Sequence, residues 1–154
     1  MMRTRHLLLG ASVLSLAMAS CESPLQSCTE MGCGQGEISV EFVFREPGTY
    51  RFQVDVDGAR IECTGTLPLD ETGGCNREGI MLVASGSMLP PEEQSLGPLV
   101  IRGERVGHVE VRAYRDEQPA GTSAFDVTYT ESPGPNGPGC DPEVCVAASG
   151  GTLQ

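Results

Sequence analysis

The residues that could do chemistry in this chain are seven cysteines, a single histidine beyond residue 6, and scattered carboxylates. Cys28/Cys33 and Cys140/Cys145 are two pairs with the same four-residue gap, near opposite ends of the chain. Four thiolates from two such pairs could hold a zinc ion. An oxidising compartment would oxidise them to disulfides instead, and the loose spacing favours that outcome, so no metal is expected. Cys63 and Cys75 bracket a loop rich in Gly, Asp and Glu, and a bridge between them would contribute about 3 kcal/mol by restricting the unfolded chain. Seven is an odd count, so three bridges leave one cysteine over, and Cys21 is the one set apart. For the other four, bridges within each pair and bridges between pairs both remain open.

No constellation for catalysis stands out. His108 lies on the polar side of a predicted strand beside Glu110, where a lone histidine reads as a surface residue. With no second histidine in the body of the chain and no lysine, the familiar nucleophilic triads lack a general base other than His108. Asp55-Val56-Asp57-Gly58 opens like a calcium loop, but the further ligands and terminal Glu do not follow at the required spacing. Strand alternation puts both aspartates on an exposed face before a turn. Asp70/Glu71 and Glu92/Glu93 are acidic loop pairs, read as solvated charge. No catalytic residue and no cofactor are expected. The alternative from another class is a hydrolase using exposed carboxylates, which needs a cleft and a raised carboxyl pKa.

The leftover cysteine has its own context. Arg3 and Arg5 precede a mostly apolar run from Leu7 to Ala19, too short to span a bilayer, which takes roughly 20 residues. Leu16-Ala17-Met18-Ala19-Ser20-Cys21 resembles the bacterial lipobox, with Met18 where Leu is usual. The resemblance implies a signal peptide over 1–20, removed by cleavage before Cys21. It also implies a thioether-linked diacylglycerol on that cysteine and an acyl chain such as palmitate on the new amino terminus. Two or more chains anchor a protein firmly, at about 0.8 kcal/mol per buried methylene. Residues 21–27 then form a short tether, reaching at most about 25 Å to Cys28. The expected location is the bacterial cell envelope, on the inner or the outer membrane, facing periplasm or surface.

Losing Arg3 and Arg5 would move the formal charge from −11 to −13, since every acidic residue lies beyond residue 20. A body this acidic is unsuited to neutralising nucleic-acid phosphates, so no nucleic-acid partner is expected. The membrane, through Cys21, and an envelope protein are the partners in view.

The body must position these residues with strands. Ile38, Val40, Phe42 and Phe44 alternate with polar residues; Tyr50, Phe52, Val54 and Val56 do the same. Glu46-Pro47-Gly48 and Asp57-Gly58 read as turns, so three consecutive antiparallel strands are predicted, the third from Arg60 to Leu67. Further strands are predicted over Gly79–Met88, Leu99–Arg102 and Val106–Tyr114. A last one carries Ser123, Phe125, Val127 and Tyr129. No convincing helical period occurs beyond residue 20. About seven short strands with regular turns predict an all-β fold: a two-sheet antiparallel sandwich, immunoglobulin-like and disulfide-stapled, over 28–146. With no Trp, the antibody lineage itself is not implied. Loops 68–78 and 89–97 are candidate contact surfaces. The Pro/Gly-rich stretch 132–140 is an irregular stapled segment, and 147–154 is expected to fray.

Several local patterns occur together: Cys28-Thr29-Glu30-Met31-Gly32-Cys33, Pro47-Gly48-Thr49-Tyr50, Cys63 ahead of Leu67-Pro68, and Pro135-Asn136-Gly137-Pro138-Gly139-Cys140. Together they resemble small cysteine-bearing bacterial lipoproteins of the GC-rich Gram-negative type, over nearly all of the chain beyond Cys21. The resemblance implies a β-rich, disulfide-stapled fold and carries over no catalytic residue. The expectation is a non-enzymatic, lipid-anchored binding or structural module. A second alternative is an inhibitor of an exported protease acting through the 63–75 loop.

Overall fold

The structure, a computed structural model, describes residues 28, 32–70, 73–103, 105–137 and 139–154. The expected signal peptide, Cys21 and the tether up to Ser27 lie outside the described residues, as does Glu71. Eleven strands follow one another: β1 Ile38–Glu41, β2 Gly48–Val56, β3 Ala59–Leu67, β4 Gly74–Cys75, β5 Ile80–Ser85, β6 Ser95–Ile101, β7 His108–Arg115, β8 Gln118–Asp126, β9 Tyr129–Ser132, β10 Cys145–Ala148 and β11 Gly151–Thr152. The described residues contain no α-helix, only a 3-10 turn at Pro91–Glu93. One sheet has the order β11-β1-β6-β5, a second has β4-β3-β2-β7-β8, and β9 and β10 form a separate ribbon. The pairing is antiparallel except between β1 and β11, which run parallel.

Alternation explains β2. Tyr50, Phe52 and Val54 are fully buried, while Arg51, Gln53 and Asp55 between them are not. In register, Val54 sits between Ile61 of β3 and Val111 of β7, which puts three apolar side chains in one row. The four-stranded sheet answers with Ile38, Val40, Ile80, Leu96, Leu99 and Ile101 in the same core. Phe42 and Phe44 bind the faces together, with ring centroids 5.2 Å from Phe52 and 4.9 Å from Tyr50 respectively. Burying each such side chain stabilises by roughly 1.5–3 kcal/mol. This is the predicted sandwich of two antiparallel sheets around one core.

The route through it differs from the predicted series of three hairpin-linked strands. β1 does not pair with β2. It lies in the opposite sheet, against β6 and β11, and Phe44 beyond it still bridges Leu96. Glu46-Pro47 therefore carries the chain across the core rather than reversing it within a sheet. Period two gives each strand an apolar face but does not say whether two such faces lie side by side or opposed. The β2–β3 reversal is as predicted, with Asp57 at φ 50° and Gly58 at φ 85°, a tight turn that matches strand twist. Asp116 and Glu117 make the same kind of turn at φ 49° and 65° without any glycine, which is why 115–121 reads in sequence as a longer loop.

The end of the chain is also ordered into the fold, contrary to the expected fraying of 147–154. β10 pairs with β9, and β11 lies along β1 with Val40 opposite Gly151. Leu153 N–H donates to the Glu41 carbonyl (3.0 Å), while Gln154 and Thr122 exchange backbone hydrogen bonds of 3.0 and 2.8 Å. The segment thus joins β1 of one sheet to β8 of the other. Small, polar residues suit this seam: a Cβ on Gly151 would stand 2.2 Å from the Phe125 ring.

Three disulfides lock the fold: Cys28–Cys140, Cys33–Cys145 and Cys63–Cys75. The two long-range bridges run between the pairs. Their equal gaps fit this pairing, in which Cys28 and Cys33 meet Cys140 and Cys145 in the same order, and just beyond them Gln35 bridges Val146 in parallel. Cys63 and Cys75 are direct partners across β3 and β4.

Candidate functional site

β2 defines the long axis. From Gly48 to Val56 it spans roughly 26 Å at about 3.3 Å per residue. At the Val56 end lie the β2–β3 turn and the start of β7. Here Val106 N–H donates to the Tyr129 hydroxyl (2.8 Å), attaching the β9–β10 ribbon. Cys145 of that ribbon bonds Cys33, so the N-terminal segment enters the body at this end.

At the Gly48 end lies a cleft of about 560 Å³, within the usual range for ligand sites. The crossover from β1 to β2 forms one wall with Val43, Phe44 and Arg45, and the start of β8 forms the other with Gln118, Pro119 and Ala120. Tyr50 and Phe44 stack at its base. The Tyr50 hydroxyl donates to the Glu46 carbonyl at 2.7 Å. Burial, and then the nearby Asp116 charge, push its pKa up, so it stays a neutral donor. Asp116 Oδ1 in turn accepts from Thr49 N–H at 2.9 Å, and Arg115 pairs with Glu46. Arg45 has no ion-pair partner among the described residues. With Tyr50 fully buried, the apolar surface of the cleft is Val43, Phe44, Pro119 and Ala120, under a mixed-charge rim.

The sequence-selected residues fall elsewhere. Asp55 Oδ1 accepts from Gly58 N–H at 2.8 Å and so closes its own turn. Asp57 accepts from Gly107 N–H (3.0 Å) and His108 N–H (2.7 Å), and those bonds hold its carboxyl below the usual aspartate range. Both aspartates are thus occupied with backbone. His108 Nδ1 lies 2.8 Å from Asp126 Oδ1, with half of the imidazole exposed. Glu117, paired with Arg51 at 2.7 Å, is also held low. Both carboxyl displacements run opposite to what a general acid needs. Among the described residues no group of three His, Cys, Asp or Glu side chains could hold a metal ion.

The two candidate loops are joined by a residue the sequence reading passed over. Gln94, the buried polar side chain of the core, accepts from Leu69 N–H (2.7 Å) and donates to the Leu89 carbonyl (3.0 Å). Loop 89–97 is shorter than predicted: Ser95 begins β6, and Leu96 and Gly97 are buried. Glu92 and Glu93 sit exposed on the 3-10 turn, and Asp70 is exposed at the neighbouring loop. The cleft itself was not predicted, because its walls come from segments more than 70 positions apart in sequence.

The chain is thus an all-β, disulfide-bonded sandwich. Comparison with protein-family models, with curated proteins and with solved structures finds no match to it.

Proposed function

We propose that this chain is a lipid-anchored protein of the bacterial cell envelope, held through Cys21, that binds an envelope partner through the cleft between Val43–Arg45 and Gln118–Ala120. Its role is binding rather than catalysis. The observation that carries the reading is the polarity of the sandwich. The bridged N-terminal segment enters at one end, and the cleft opens at the other, roughly 25 Å away along β2. A tether at Cys21 would present that cleft away from the lipid surface. The lipobox resemblance supports the anchor, and three disulfides suit an exported protein. The inner or outer membrane would serve equally.

The test is site-specific photocrosslinking in intact cells, with a photoreactive residue in place of Val43 and, as a control, of Gln53 on the outer face of the five-stranded sheet. The reading predicts a discrete adduct from position 43 and none from 53. Equal, diffuse labelling from both positions would contradict it. Replacing Cys21 by Ser should separately release the protein from the membrane fraction; retention would remove the anchor from the account.

A further inference from the structure

The cleft has a second property, independent of its chemistry: it continues a strand position that the chain itself already uses. β11 lies in the seam between β1 and β8, bonded to Glu41 on one side and, through Gln154, to Thr122 on the other. Toward the Gly48 end the same two walls run on as Val43–Arg45 and Gln118–Ala120, with open space between them. Backbone groups point into it. Phe44 spends both its N–H and its carbonyl on Leu96, at 2.9 and 3.0 Å. Alternation therefore turns the N–H and carbonyl of Val43 and Arg45 the other way, and neither residue has a backbone partner among the described residues. On the facing wall Thr122 points into the seam and exchanges backbone hydrogen bonds with Gln154. Beyond it the β7–β8 register shifts at Ala120, the extra residue of a bulge, which bends this wall.

We infer that the cleft accepts an extended peptide segment of another protein by strand addition, in line with β11. Main-chain hydrogen bonds to Val43 and Arg45 hold it, and an apolar side chain settles on the partly exposed Phe44 ring. The peptide this fits has apolar residues at alternate positions, because one of its faces lies on Phe44, Pro119 and Ala120 while the rim is charged. The inference rests on the reading of the cleft as the binding site and adds what kind of ligand enters.

A phage-displayed library of random linear dodecapeptides, panned against the full acylated chain in detergent, supplies the probe. The best peptide is then resynthesised with single N-methyl groups along its backbone. Blocking one hydrogen bond should weaken binding by about tenfold, and the losses should recur at every second amide. Arg45→Pro, which removes the Arg45 N–H from the wall, should cost a similar factor, while Gln53→Arg should change nothing. The N-methyl series leaves the protein untouched, so it decides the matter even if Arg45→Pro folds poorly. Failure to enrich any peptide, or an N-methyl profile without period two, overturns strand addition. Persistent crosslinking from position 43 in that event would show that the cleft binds something else, whereas loss of both would remove the cleft as a site.

Discussion

Single residues decide where this backbone can go. Gly97 has φ 116°, and a Cβ there would stand 2.2 Å from the Phe42 carbonyl oxygen. Gly97→Ala should therefore destabilise by roughly 2–4 kcal/mol, combining a left-handed φ with a clash against backbone, as read from the urea midpoint with disulfides intact. Asp57 gives a pH signature. Its carboxyl is more acidic folded than unfolded because Gly107 and His108 N–H bond the charged form. Its contribution is therefore present above the ordinary aspartate pKa of about 3.9 and lost as pH falls below it. Unfolding midpoints at pH 7 and pH 3 should differ less in Asp57→Asn than in the parent chain. An equal drop would remove Asp57 as a stabilising contact. The sequence pattern put Asp55 and Asp57 beside a turn correctly. It could not show that Asp57 reaches across to a loop 50 positions away, since nothing local encodes that partner.

At the scale of elements, apolar alternation located the interiors of β2 and β7 well, and the Asp57-Gly58 turn located β3. Val109, Val111 and Ala113 are buried as predicted, because a half-buried strand leaves that mark in any context. Pairing was less legible. β1 and β2 share a phase yet lie in opposite sheets, and β10 (Cys-Val-Ala-Ala) and β11 (Gly-Thr) are short, with little alternation to mark them. Their order comes from tertiary pairing and disulfide attachment rather than local preference. The loops are held in the same long-range way. Gln94→Ala would strand the Leu69 N–H and the Leu89 carbonyl together, so it should cost about 1–3 kcal/mol. Hydrogen exchange should rise in 68–70 and 86–90 and not in β7. A uniform rise across the protein would mean that Gln94 supports the whole core rather than these loops.

For the whole molecule, the two long bridges work as a pair. Each spans 112 positions, so either alone closes nearly the entire chain. The second then closes only the small ring 28–33 with 140–145. In the chain-entropy model, removing either bridge alone should cost about 3 kcal/mol, while removing both should cost about 7–8 kcal/mol. Denaturation of the two double-serine variants and the quadruple variant checks this non-additivity. Equal, additive losses would contradict it. The bridges matter for the proposed role because they transmit an anchor on the N-terminal segment to the rigid body, and so fix which end faces outward. The cysteine count announced three bridges, but nothing local chooses between the pairings, which follow from the parallel approach of Gln35 and Val146 just beyond the two pairs.

The most direct test of that arrangement is mass spectrometry of the protein taken from membranes without reduction, both intact and after proteolysis. The account predicts an amino terminus at Cys21 carrying acyl chains, with peptides joined through Cys28–Cys140 and Cys33–Cys145. An unacylated terminus, or bridges Cys28–Cys33 and Cys140–Cys145, would contradict it.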